Sequence, residues 1–355
     1  MDDRPTPLLP PLPARLGFAV KVLAEAGLKS NDARRWQSAP HLSVSIGYLD
    51  AIFDYLARND ITMYRLSSDI APYATHPDLP QFHGQIAECA GELAALGRRA
   101  RAQGVRLSMH PSQFIVLNSL NPDLVEKSAR DLLAGAEILD AMELGPEAVL
   151  VIHVGGTYGG DRENGRRRWV EAYRRLPEPV RRRLVLENDD LRYSAADVLA
   201  IHDETGVPLI FDYQHFWCFN PEQTAMFPAL RRMLATWPTG VRPKIHFSTP
   251  ATGSREVARK SRATGKAETA LLPPVWTGHA EYVDPFAFAT FLRAALAPGD
   301  PPVFDVMLEA KGKDLALRRL RRDLPRYAPD LAPWFGLAAD APSVDREPGD
   351  EALIA

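Results

Sequence analysis

Nine side chains that could bind a divalent cation recur at one kind of position along this chain. His110 ends the run VRLSMH, His153 ends AVLVIH and Glu187 ends RLVLE. Asp212 ends PLIFD, His246 lies in PKIHF and Glu309 ends VFDVMLE. His76, His215 and His279 fall in the stretches after three such runs. The runs are short and rich in aliphatic and β-branched residues, so they read as strands. Each candidate group therefore stands at a strand's C-terminal end or in the loop beyond it. A single imidazole or carboxylate there is an ordinary hydrogen-bonding or capping residue. Nine of them converging would be costly to desolvate unless something positive sat among them. Imidazole with carboxylate suits Zn, Mn or Fe, and added oxygen ligands favour Mn or Mg. At three or four protein ligands per catalytic ion, nine groups serve two or three ions. His41, His83 and His202 lie outside the set, beside or within predicted helices.

Lys244 stands two residues before His246, so both side chains point to the same side of the strand. An ammonium beside divalent ions is electrostatically poor. Three states are open: a neutral amine, a carbamylated lysine carrying a negative charge, or an ammonium paired with Glu309 or Asp212. Two or three ions close together suit in-line attack on a phosphodiester, one activating a water and another stabilising the leaving oxygen. Ion pairs held mainly by carboxylates also serve sugar isomerisation. Six histidines against three carboxylates lean towards hydrolysis.

The elements that must carry these groups follow from periodicity. Eight strand-like runs begin near residues 15, 61, 105, 148, 183, 208, 243 and 303. Stretches with helical spacing separate them, such as IGYLDAIFDYLARND and DPFAFATFLRAALA. Strands alternating with helices give an α/β class and a parallel sheet. Eight units predict a (β/α)8 TIM barrel, whose active sites gather at the C-terminal face of the strands. A doubly wound sheet is the competitor, but no GxGxxG follows RLGFAV. Residues 1–14 read as a disordered proline-rich arm, 15–337 as one barrel domain and 338–355 as an acidic flexible tail.

The bulk numbers exclude more than they assign. The 355 residues are 46% hydrophobic and 25% charged, an ordinary globular composition. The two cysteines, Cys89 and Cys218, form neither a CxxC motif nor a disulfide framework. The N-terminus lacks the basic and apolar regions of a signal peptide, and no apolar run approaches membrane-spanning length. We expect a cytoplasmic protein. A net charge of −3 advertises no polyanionic partner, although a local basic face can sit on a neutral protein. Such a face is present. Between His246 and His279, residues 249–278 hold Arg255, Arg259, Lys260, Arg262 and Lys266 against Glu256 and Glu268, for a net +3. Basic residues beside an ion site fit a phosphate backbone, and a solvated insertion is the plainer alternative. The runs RRRW and RRLRR fall on predicted outer helices, where solvated faces are usual.

One stretch resists a purely structural reading. LSMHPSQFIVLNS delivers His110, breaks at Pro111 and then offers Gln113 and Phe114 on a loop. From the residues alone, Phe114 is a core side chain or an exposed one with a task.

The motifs MYRLSSDIAPYATHP, RLSMHPSQFIVLNS, VIHVGGTYGG, RLVLENDD, KIHFS, GHAEYV and DVMLEAKGKDLAL together resemble the UV damage endonucleases, over about residues 15–320. A more distant likeness is to abasic-site endonucleases built on a trinuclear metal barrel. The resemblance implies an ATP-independent nick immediately 5′ to cyclobutane pyrimidine dimers, 6-4 photoproducts and some other lesions, abasic sites among them. It implies a Mn-type cluster, with Mg, Zn or Co as alternatives, held by His76, His110, His153, Glu187, Asp212, His215, His246, His279 and Glu309. Lys244, Glu187 and His246 become candidate catalytic groups, and modification of Lys244 gains weight. Gln113 and Phe114 match a pair that probes the duplex at the lesion, with Arg255, Arg259, Lys260 and Arg262 as further DNA contacts. The implied partner is UV-damaged double-stranded DNA, met by a monomer without a membrane. The sequence departs from the family pattern at Phe216, where many relatives carry a second histidine, and at Phe18 and Val22 near the first strand. The alternatives are a xylose-isomerase-like sugar isomerase or epimerase, and a non-catalytic metal-dependent DNA-binding protein.

Overall fold

The β-branched runs form strands where their composition predicts them. The computed structural model describes residues 13–260, 265, 267–297 and 302–338. Among these, the strands are β1 (Leu16–Ala19), β2 (Met63–Leu66), β3 (Arg106–Met109), β4 (Val149–Ile152), β5 (Leu184–Glu187), β6 (Leu209–Ile210), β7 (Lys244–Phe247), β8 (Arg255–Lys260), β9 (Ala267–Leu272) and β10 (Asp305–Leu308). All but β8 and β9 form one parallel sheet in the order β6-β5-β4-β3-β2-β1-β10-β7. The ends of that sheet meet. Asp212 and His246 form a parallel bridge, and the His246 N–H donates to the Phe211 carbonyl at 3.0 Å. The eight predicted strands thus close the predicted (β/α)8 barrel, and two candidate ligands make its seam.

Register carries the alternation of side chains around the barrel. Asp305 pairs with Lys244 and Met307 with His246, so Lys244 and His246 do share the interior face. Val149, Val151, Val185 and Ile210 pack together inside. At Gly17 a Cβ would lie 2.7 Å from Met63 Cγ, so only glycine lets Met63 fill the lumen there. The lower end is closed by Asp305, which accepts from Arg15 Nη1 at 3.1 Å and from the buried Arg106 Nη1 at 2.9 Å.

Helices cover the barrel with their apolar stripes inward. Pro285–Ala295 buries Phe288, Phe291 and Leu292, and Asp284 caps it by accepting from the Phe286 and Ala287 N–H groups. The arginines of RRLRR lie on Lys313–Tyr327, around its buried Leu317, Leu320 and Leu324. Those of RRRW lie on Arg162–Arg175, where Arg166 pairs with Asp197 at 2.6 Å. Both runs therefore sit on outer helices, as expected. No helix among the described residues is long and apolar enough to cross a membrane.

The stretch between His246 and His279 departs from its reading as a loop. β8 and β9 form an antiparallel hairpin, registered from Arg255 opposite Leu272 to Lys260 opposite Ala267. Gly265 sits between them at φ +68°. Turn-type backbone and flanking six-residue runs are enough to make a ribbon, which the interspersed charges conceal from a search for alternation.

Candidate metal centre

The candidate ligands arrive from six strands and converge on the C-terminal mouth. One group joins His110, Glu187, His246 and Glu309, and a second joins His153, Glu187 and His215. Within each, the potential ligand atoms lie within 4.8 Å of one another. Glu187 belongs to both. Its Oε2 lies 3.1 Å from His110 Nε2 and 3.8 Å from His153 Nε2. Its Oε1 lies 2.8 Å from His246 Nδ1 and 3.5 Å from His215 Nδ1.

Asp212 and His279 stand at the edge of this assembly. Asp212 Oδ1 is 3.7 Å from His215 Nδ1 and accepts the His215 backbone N–H at 2.7 Å. His279 Nε2 is 3.8 Å from Glu309 Oε2. His76 is not brought into either group. It is exposed, and lines a neighbouring cavity of about 450 Å³ with Arg34, Ser112, Lys127 and Asp131. His41, His83 and His202 are also apart, as expected. His41 caps the helix Leu42–Arg58, His83 reaches the His76 carbonyl at 2.8 Å, and His202 contacts the Val207 carbonyl at 2.8 Å.

The electrostatics fit a cation. Burial, with the Arg65 charge next in weight, lowers His110 to about 4. Burial also holds His153 and His246 well below the usual imidazole range. Neutral imidazoles keep a lone pair for a ligand. Burial first, then the charges of Glu309 and Asp212, push Glu187 well above the usual carboxylate range. At Glu309 burial is again the largest single influence and acts in the same direction, but Arg65 together with His246, His110 and His279 outweighs it and holds the carboxylate well below its usual range. Glu187 and Asp212 are both pushed up by burial first and by neighbouring carboxylate charge, a crowding that a cation would relieve. Asp212 Oδ2, His153 Nδ1 and His246 Nε2 are buried with no hydrogen-bond partner. A divalent ion would supply Asp212 Oδ2 with a partner, whereas the orphaned His153 and His246 atoms are the ring nitrogens other than those that face Glu187.

Two imidazoles are held in a definite tautomer. His110 Nδ1 faces the Pro111 carbonyl at 3.1 Å and His215 Nδ1 faces the Asn188 carbonyl at 3.0 Å. A carbonyl only accepts, so each Nδ1 carries a proton and Nε2 is the nitrogen left to bind an ion. Asn188 does more. Its amide accepts the Asp212 N–H at 2.9 Å and donates to the Asp212 carbonyl at 3.1 Å, continuing the ladder where β6 has ended.

Lys244 is fully buried, and its Nζ has no partner among the described residues. Neither expected ammonium pair, with Glu309 or with Asp212, is formed. Burial first, then the Arg106 and Arg65 charges, hold the amine well below its usual value. Asp189 does not cap the following helix. Its Oδ1 accepts the N–H groups of Leu191, Arg192 and Tyr193, and Ser194 makes the helix cap.

The loop after His110 resolves the question of Phe114. Pro111, Ile115 and Leu117 are buried, while Gln113 is exposed and Phe114 is 69% exposed. Asn118 Nδ2 donates to the Gly156 carbonyl at 2.8 Å and lies 3.1 Å from Tyr193 Oη, which ties this loop to its two neighbours. Gly155 at φ +116° makes room: a Cβ there would lie 2.5 Å from Asn118 Oδ1. A well-anchored loop thus exposes a large apolar side chain, an arrangement that suits contact rather than packing. Phe18 and Val22 are buried, so neither is exposed for contact. Phe216 is buried against Phe211. On the hairpin, Arg255 is exposed; Arg259 and Lys260 share its strand, and Arg262 lies outside the described residues.

Sequence reasoning missed several members of the site. Arg65 points inward from β2 to Glu309, and the signal was a charge inside the apolar run MYRL. Trp217 and Trp276, 68% and 59% exposed, stand two and three residues from His215 and His279. Two exposed tryptophans beside candidate ligands were legible as a surface feature.

The chain is similar to known proteins in sequence and in fold. A family model described as UV-endonuclease UvdE matches residues 43–332. A UV DNA damage endonuclease of Bacillus pumilus (strain SAFR-032) is 36% identical over 267 residues, 75% of this chain and 76% of that protein. One from Bacillus velezensis (strain DSM 23117 / BGSC 10A6 / LMG 26770 / FZB42) is 33% identical over 274 residues, 76% of this chain and 77% of that protein. The crystal structure of SacUVDE superposes with a TM-score of 0.70 at 27% identity, covering 88% of this chain and 98% of that one. The family model spans every barrel strand but β1, which carries no candidate ligand; the chain belongs to the UV-endonuclease UvdE family.

Proposed function

We propose that this protein is a DNA-repair endonuclease that nicks duplex DNA immediately 5′ to UV photolesions by metal-dependent hydrolysis, without ATP. The observation that carries the reading is Glu187, one carboxylate shared by two ligand groups on the floor of an open barrel mouth. His110, Glu187, His246 and Glu309 would hold one ion, and His153, Glu187 and His215 another, with Asp212 and His279 at their edges as further donors. Divalent ions, Mn in this reading, would supply water activation and charge neutralisation at the scissile phosphate when bound. The protein's own part is to fix the donors and to present DNA to them. Arg65 pairs with Glu309 and favours its ionised form, and the Pro111 and Asn188 carbonyls aim His110 and His215. Gln113 and Phe114 enter the duplex at the lesion, where stacking is already weakened. Arg255, Arg259, Lys260 and Arg262 hold the phosphate backbone. The reading takes the protein as a monomer that works in the cytoplasm.

Incubating UV-irradiated and undamaged supercoiled plasmid with protein and Mn, without ATP, tests the reading. We expect nicks only in the irradiated plasmid, abolished by EDTA. Equal nicking of both plasmids, or none, would overturn it. Conversion of a free sugar under the same conditions would favour an isomerase instead.

Lys244 fits this centre best as a carbamate. Its unpaired amine would attack carbon dioxide, forming an N–C bond and releasing a proton, and the resulting anion would face the Arg106 and Arg65 charges. Arg106 Nη2, also buried and unpaired, would gain an acceptor. In ¹³C-bicarbonate, a carbamate carbon resonance should appear and be absent from Lys244→Ala. An ammonium–carboxylate pair in a metal-loaded crystal structure would refute it.

A further inference from the structure

His279 reaches the centre from a loop, and its first neighbours belong to no ligand group. Its Nδ1 lies 2.6 Å from Ser248 Oγ. Ser248 Oγ lies 2.7 Å from Gln214 Oε1, and Gln214 Nε2 lies 3.1 Å from the Trp276 carbonyl. Gln214 and Ser248 are buried, so water does not enter the accounting.

The direction of every bond in this chain follows from its far end. The Trp276 carbonyl can only accept, so the Gln214 group facing it must be the NH₂. The Gln214 carbonyl oxygen then faces Ser248 and takes the one hydroxyl proton. Ser248 has no second proton for His279, so its oxygen must accept from Nδ1–H. The reverse arrangement would set two acceptors 2.7 Å apart with no proton between them. His279 therefore carries its proton on Nδ1, and its Nε2 lone pair is the atom 3.8 Å from Glu309 Oε2. His110 and His215 reach the same state through one carbonyl each. His279 Nδ1 pairs with Ser248 Oγ and not with a carbonyl among the described residues, so two side chains take that part.

We propose that Gln214 and Ser248 are positioning residues that fix the tautomer and aim of His279, through a relay anchored on the Trp276 carbonyl. The proposal rests on His279 serving as an ion ligand. Trp276 stands just beyond β9, so the relay ties the foot of the basic hairpin to that ligand.

The test is spectroscopic and needs no turnover. Long-range ¹H–¹⁵N spectra of metal-free, imidazole-labelled protein, with His279→Ala for assignment, report which ring nitrogen is protonated. We expect Nδ1 protonated at His279 in the unmodified protein. Ser248→Ala should give a tautomer mixture and weaken Mn binding by about 10- to 100-fold, the usual range for losing a partner behind a ligand. Ser248→Thr, which keeps the hydroxyl, should restore both, and Gln214→Leu should resemble Ser248→Ala. Protonated Nε2 at His279 in the unmodified protein overturns the relay without any variant. So does a Ser248→Ala protein with unchanged spectrum and Mn affinity. Unchanged Mn binding in His279→Ala would instead overturn the ligand role, and the plasmid assay judges the nuclease reading separately.

Discussion

Glu187→Gln should strip bound metal from both ligand groups and lower damage-dependent nicking by roughly 10³-fold, the upper range for removing one preorganised electrostatic group. The reasoning starts from sharing. Every other grouped ligand serves one group, but Glu187 serves both, and each of its oxygens faces one imidazole from each group. The amide keeps the volume and one acceptor, but it loses the charge and one of the two lone-pair-bearing oxygens. The variant should nevertheless fold. Glu187 is buried beside Glu309 and Asp212, and that crowding disfavours its charge. A neutral amide removes the repulsion, so the metal-free variant should melt at or above the temperature of the metal-free parent. Glu309→Gln is the comparison: it touches one group and should retain about half the bound metal. Elemental analysis, melting curves and the plasmid assay read all three quantities. A Glu187→Gln protein with full metal content and nicking within about tenfold of the parent would sink the shared-ligand reading.

What the sequence discloses here depends on the range of the interaction that matters. Strand ends are local. A β-branched run ending in His or Glu announces both the element and the position of the group, so His110, His153, Glu187 and Glu309 could be placed without coordinates. The period of two also put Lys244 inside with His246, and the register agrees. What stayed hidden was pairing at a distance. Arg65 meets Glu309 across 244 positions, and Asn188 extends the ladder to Asp212 across 24. Neither partner marks the other in the chain. Ser248 and Gln214 read as ordinary polar residues until their atoms are placed. His76 shows the opposite failure. Its position after a strand is right, but a long loop carries it to a neighbouring cavity. The hairpin is an intermediate case, since its charges obscured the alternation that makes it a ribbon.

Phe114→Ala should reduce nicking at a pyrimidine dimer by roughly 5- to 150-fold while bound metal and melting temperature stay unchanged. The magnitude is that of one base–aromatic contact, about 1–3 kcal/mol. The structure separates this side chain from the scaffold beneath it. Phe114 is 69% exposed, so truncation opens no cavity. The loop is held by other groups: the Val116 N–H donates to Ser128 Oγ at 3.0 Å, Ile115 and Leu117 are buried, and Asn118 bonds the next loop. His110, four residues earlier, keeps its own carbonyl partner. Loss of metal in Phe114→Ala would therefore contradict the division between ligand and probe. The choice of lesion sharpens the test. A dimer still has two bases to displace, whereas an abasic site has already lost one, so the wedge matters less there. Phe114→Ala should be more damaging on the dimer than on the abasic site, and Gln113→Ala should follow the same order. Phe114→Leu should recover most of the dimer activity, because a wedge needs apolar volume and only stacking needs the ring. Equal losses on dimer, abasic and undamaged duplex would mean that Phe114 supports general DNA binding. In that case the lesion must be sensed elsewhere on the rim, and the exposed Trp217 and Trp276 would be the next side chains to truncate.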